Sequence, residues 1–168
     1  EPAYTLRPIK KELEALGLTV VAHEDAFGLG EAGNYISPQH KLCLKRQENL
    51  VIDVGYGVGG ADVLTILEGI EEEKDLRMYM VINPCKFETF SVESIIEYVI
   101  WATTGQKKVW KLSGLIANPH FGDDTQLEDV LNGYEKVKKA AEKLNISVIS
   151  LNIDEKLYKD LEKTALAH

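Results

Sequence analysis

At 168 residues, with 45% apolar and 27% charged side chains, the chain has the size and composition of one soluble folded domain rather than a disordered or fibrous protein. Its formal net charge of −8 argues against general nucleic-acid binding, which depends on Lys and Arg neutralising phosphates. Cys43 and Cys85, without CxxC or zinc spacing, argue against a disulfide or metal framework and predict a cytoplasmic protein, and no apolar run approaches the roughly 20 residues that cross a bilayer.

Taken in chain order, "TLRPIKKELEALG" (5–17) carries Leu6, Ile9, Leu13 and Leu16 at helical spacing and stops at Gly17. "LTVVA" (18–22) reads as a short strand. Residues 23–40, with Gly28, Gly30, Gly33 and Pro38, read as an extended connection or an active-site loop, and "KLCLKRQEN" opens with a brief helix. "NLVIDVG" (49–55) is a nearly continuous apolar run, the pattern of a strand buried on both faces, with a helix expected over 61–73.

The cycle then repeats. "RMYMVINP" (77–84) predicts a strand stopped by Pro84, and 91–105 a helix capped by Ser91. A strand lies within 109–119, after which Thr125 and Glu128 form a candidate capping box. Leu127, Val130, Leu131, Tyr134, Val137, Ala141 and Leu144 share one face of the helix that follows. A last strand (145–153) and a terminal helix capped by Asp154 complete the chain.

Strands alternating with helices of this length predict a single α/β domain over 1–168, with a mostly parallel sheet and helices on both faces. Ligands in such folds gather at the carboxyl ends of strands, here the loops 54–61, 83–91, 117–125 and 152–155.

The stretch "VIDVGYGVGGADVL" (51–64) admits three readings. Gly55, Gly57 and Gly60 match a dinucleotide GxGxxG, but the next strand ends in Ile82, Asn83 and Pro84 without the acid that holds ribose. Asp53, Gly55, Gly57 and Gly59 match DxGxGxG of methyltransferases that use S-adenosylmethionine, and "NPHF" (118–121) resembles the NPPF-type motif of amino-group methyltransferases. That reading lacks the same acid and the terminal antiparallel hairpin. In the third reading Asp53 and Gly57 form the DxxxG of a nucleoside triphosphatase, where the aspartate holds the water shell of Mg2+ and the glycine amide meets the terminal phosphate.

Each residue also has a purely structural account. The glycines could permit close packing at a strand-to-helix turn, Asn118 could open a turn before Pro119, and His120 reads as a loop residue. Cys43 and Cys85 read as small buried apolar residues, Trp101 and Trp110 as core or interface aromatics, and "EEEKD" (71–75) as a solvated helix end. Asp53 fits that account least, because a carboxylate at the end of an apolar run needs a partner.

The ordered segments "LVIDVGYGVGGADVL", "MYMVINPCKFETF" and "VWKLSGLIANPHFGDDTQLEDVLNGYEKVKKAAEKLNISV" resemble uncharacterised bacterial ATP-binding proteins of the MinD/ParA-like (CobQ/CobB/MinD/ParA-type) division of P-loop ATPases. The resemblance implies a three-layer P-loop fold that binds ATP and Mg2+. Asp53 would be the magnesium-associated catalytic acid, acting through water. Gly55 and Gly57 would lie at the phosphates, and Asn118 with Pro119 at the adenine.

No GxxxxGK[ST] occurs in the chain, and in the family that loop lies ahead of the position of Glu1. The resemblance therefore implies that the first strand and phosphate loop are absent here, and that this chain alone is inactive. The intact protein would be a slow, nucleotide-dependent switch, expected as a homodimer. The slot left by the first strand is expected to be filled by strand rearrangement or by a second copy. A non-catalytic partner-binding module is the remaining alternative.

Overall fold

The computed structural model describes residues 6–22, 38–45, 49–54, 64–105 and 109–161. They fall into two compact units, Glu1–Val58 with Val63–Glu73 and Gly59–Asp62 with Lys74–His168.

In the first unit, helix α1 (Leu6–Ala15) forms where the 3.6-residue apolar spacing predicts it. It stops at Gly17, whose positive φ lets the Leu18 N–H reach back to the Leu13 carbonyl at 3.2 Å. Its apolar stripe is only partly covered, with Leu13 half-buried and Leu16 78% exposed. Helix α2 (Pro38–Lys41) and a 3-10 turn (Cys43–Lys45) follow the long connection.

Two strand expectations fail in this unit. Residues 18–22 and 49–54 belong to no strand, and Val51, expected in the centre of a buried strand, is 93% exposed. Apolar and β-branched residues supply the propensity for "LVIDV", but a strand exists only where a neighbouring backbone pairs its N–H and C=O groups. Among the described residues none does so.

The helix expected over 61–73 is also replaced where it is described. Residues 64–66 form a 3-10 turn, and the bonds from Leu67 to Leu64, Ile70 to Leu67 and Glu72 to Gly69 continue that three-residue spacing. Gly69 takes a positive φ of 92°, and Leu64, Leu67 and Ile70 are buried.

The second unit is a regular α/β layer. Strands β1 (Tyr79–Ile82), β2 (Gly114–Ala117) and β3 (Val148–Leu151) lie parallel in the order β1-β2-β3. Helix α3 (Val92–Thr103) connects the first two, α4 (Leu127–Leu144) the last two, and α5 (Glu155–Leu161) follows β3. Ser91 caps α3 as expected, and the Asp154 carboxylate accepts the Lys156 N–H at 2.8 Å.

The box at the start of α4 lies one residue later than Thr125 and Glu128. Asp129 accepts the Gln126 N–H at 2.9 Å, while the Thr125 hydroxyl serves the preceding loop. Asn145 closes α4 in the left-handed conformation at φ 55°.

Pairing sets Met80 opposite Leu115 and Ile82 opposite Ala117, so these four share one face. Ile95 and Val99 from α3 and Val137, Ala140 and Ala141 from α4 cover them, forming one continuous core. Each fully buried Ile or Leu in it contributes about 1.5–3 kcal/mol. The other face carries Tyr79 and Val81, the latter 55% exposed, with Ile149 lying across Gly114. Among the described residues β1 is an edge strand, with no strand paired on its outer side.

Gly114 makes this close approach possible, because a Cβ there would collide with Cγ1 and Cδ1 of Ile149. Gly114→Ala is expected to destabilise the chain by about 1–3 kcal/mol in urea unfolding. Adding Ile149→Ala should recover part of the loss. Independent, additive effects of the two substitutions would contradict this packing.

Candidate functional site at the strand ends

The register of β1 and β2 brings two Asn-Pro dipeptides side by side. Ile82 pairs with Ala117, so Asn83-Pro84 and Asn118-Pro119 leave the carboxyl ends of adjacent strands together. The ladder runs one step into these loops: the Asn118 N–H donates to the Ile82 carbonyl at 2.8 Å and the Asn152 N–H to the Ala117 carbonyl at 2.8 Å. Pro84 and Pro119 are buried.

Gly133 of α4 seats both proline rings. A Cβ at this position would lie 2.8 Å from Cβ of Pro119 and 2.8 Å from Cγ of Pro84. Pro119, expected at the nucleotide, packs its ring against Gly133.

The two asparagines behave differently. The Asn83 carboxamide is spent on the protein: Nδ2 donates to the His120 carbonyl at 2.8 Å, and Oδ1 accepts the N–H of His120 at 3.1 Å and of Cys85 at 3.0 Å. The hydroxyl of buried Thr89 donates to the Asn83 carbonyl at 2.6 Å. Asn118 is half-buried, and its carboxamide has no hydrogen-bond partner among the described residues.

Beyond Asn118 the loop is held by short local bonds. Nδ1 of His120 accepts the Gly122 N–H at 2.6 Å, which places the ring proton of neutral His120 on Nε2. The Thr125 hydroxyl accepts the Phe121 N–H at 2.9 Å and donates to the Gly122 carbonyl at 2.6 Å. Phe121 projects outward. His120 is an exposed loop residue, as its position between Pro119 and Phe121 suggests.

Cys85 lies under this loop. Burial pushes its thiol pKa up, opposed by the His120 backbone N–H, while Asp129 raises it further and Lys136 lowers it. The thiol therefore carries less thiolate than an ordinary cysteine.

The residues expected at the phosphates belong to the first unit. Asp53 is exposed in the unpaired 49–54 segment and makes no hydrogen bond or ion pair among the described residues. Its expected burial at a strand tip is not observed, so the penalty for an unpaired carboxylate does not arise. Gly55 and Gly57 lie outside the described residues.

No cluster of three or more metal-ligating side chains occurs among the described residues. Among the described residues no helix is long and apolar enough to cross a membrane.

The chain matches no family model, no curated protein and no solved structure. Function therefore rests on the local chemistry. That chemistry is a carboxamide offering a donor and an acceptor side by side at the end of the central strand, on a loop fixed by Asn83 and Gly133. Asn83 has no functional role in the sequence reading, although "INP" and "ANP" at the ends of consecutive strands are visible there.

Alanine in place of a helical glycine ordinarily stabilises by about 0.5–1 kcal/mol. At Gly133 the collision with two rigid proline rings outweighs this gain, so Gly133→Ala is expected to lower stability by a net of about 1–2 kcal/mol. Urea unfolding measures the change, and a more stable variant would show that the rings yield freely. Alkylation kinetics should find Cys85 slower than free cysteine at mildly alkaline pH.

Proposed function

We propose that this chain is the base-recognition part of an ATP-binding domain of the MinD/ParA-like P-loop type, working in a cytoplasmic, nucleotide-dependent switch. The observation that carries the reading is the Asn118 carboxamide at the carboxyl end of β2, open to solvent and unpartnered among the described residues. An amide that the protein leaves to water can exchange that water for an adenine edge, which carries an adjacent donor and acceptor.

The parallel β-α-β-α-β order and the site's position outside the strand ends support the same class. In the intact protein Asp53 would act on Mg2+ through water, with Gly55 and Gly57 at the phosphates. Triphosphate affinity would come mainly from a phosphate loop supplied by further polypeptide. A homodimer with nucleotide at its interface belongs to this proposal.

A methyltransferase is the second reading. It is favoured by Phe121, which stands 53% exposed three residues after Asn118, where a stacking aromatic would meet a flat substrate.

Calorimetry of the intact protein with ATP and magnesium tests the first reading. Binding is expected, weakened about ten-fold in Asn118→Ala through loss of the paired amide contacts, and weakened also in Asp53→Ala. No binding, or unchanged affinity in both variants, would overturn it. A thermal shift with S-adenosylmethionine but not with ATP would favour the second.

A further inference from the structure

The turn that follows Asn118 is closed by an imidazole nitrogen, and we propose that His120 is a proton-operated latch on this loop. The neutral ring holds the Phe121–Gly122 turn shut, and the protonated ring releases it. The inference needs no ligand and stands apart from the nucleotide reading.

Nδ1 of His120 accepts the Gly122 N–H at 2.6 Å, so the neutral ring serves the turn as an acceptor. A protonated imidazole carries donors at both nitrogens and keeps no acceptor. Two N–H groups would then point at each other across that short distance, and the contact has to open.

The surroundings decide which part yields. The His120 backbone is fixed, because its N–H and carbonyl are both bonded to the Asn83 carboxamide, and the Asn118 N–H is held by the Ile82 carbonyl. The Thr125 hydroxyl, which accepts the Phe121 N–H and donates to the Gly122 carbonyl, spans the turn with a group that does not titrate. Gly122 has a φ of 74°, a conformation that glycine enters and leaves with no Cβ in the way. The Phe121–Gly122 peptide is therefore the part that moves, and with it Phe121, 53% exposed, while the Asn118 backbone keeps its place.

Other charged groups surround the loop. Asp123 and Asp124 belong to it, Lys156 of α5 lies 3.9 Å from the Asp123 carboxylate, and Asp129 and Lys136 of α4 act on Cys85 beneath it. Carboxylates and lysines ordinarily keep their charges between about pH 5 and 8, the range in which histidine changes its own. The Cys85 thiol, pushed up by burial, stays protonated there.

Nuclear magnetic resonance on the full chain, titrated from mildly alkaline to mildly acidic pH, tests the latch. At the alkaline end a nitrogen–nitrogen coupling is expected across the Gly122–His120 hydrogen bond. On acidification that coupling should vanish and the Gly122 amide proton should move upfield with the same midpoint as the ring. Protection of that amide, taken relative to its intrinsic exchange rate at each pH, should fall about ten-fold, the value of one hydrogen bond.

His120→Asn offers an oxygen that can accept from the residue two positions on and does not titrate in this range, so Gly122 should stay protected throughout. His120→Ala should leave Gly122 unprotected throughout, with the backbone bonds from Asn83 retained as the mark of a folded loop. A Gly122 signal that stays still through the ring's titration overturns the inference. So does a His120→Asn chain that responds to pH as the wild type does, because the response then belongs to the neighbouring charges.

Discussion

The Asn83 carboxamide bonds both backbone groups of His120 across 37 residues of sequence, and the shape of the strand-end surface follows from that contact. Parallel pairing of β1 with β2 delivers the two Asn-Pro steps to the same level, and Gly133 lets α4 close against both rings. Once the loops are seated in this way, one asparagine is spent on structure and the other is left with its polar atoms unused. Backbone hydrogen bonds and proline packing, rather than charge, hold the site, which suits a chain whose surface carries mostly exposed, weak ion pairs such as Lys143 with Glu93.

Among the described residues of the second unit, the two faces of the sheet differ. Helices α3 and α4 bury Ile82, Leu115 and Ala117 on one face, while Tyr79, Val81 and Ile149 on the other stay largely exposed. Parallel sheets normally read as apolar on both faces because helices cover both. The apolar character of the second face accords with the sequence. The exposed "LVIDV" segment has a composition that suits a buried strand, and among the described residues no backbone pairs with it.

Sequence periodicity was most informative where local signals and long-range packing agree. Helices α3 and α4 and all three strands of the second unit fall inside their expected spans, and Val130, Val137 and Ala141 are buried on the expected face of α4. The capping box moved by one residue because Asp129 competes with Glu128 for the same role and Thr125 is taken by the Phe121–Gly122 turn. Residues 49–54 misled because apolar composition reports a preference for burial, and burial needs a partner that a single segment does not encode. Asn118 stands out in sequence as a candidate, whereas Asn83 gains its meaning only from strand register, a long-range property.

The central claim is that the Asn118 carboxamide is kept free for the edge of a base. A crystal structure of the chain with bound adenosine measures this most directly. The account predicts the Asn118 oxygen and nitrogen within hydrogen-bond distance of the adenine amino group and ring nitrogen, with the Asn83–His120 bonds unchanged. Adenosine bound elsewhere, or an Asn118 amide turned back onto the protein, would contradict it.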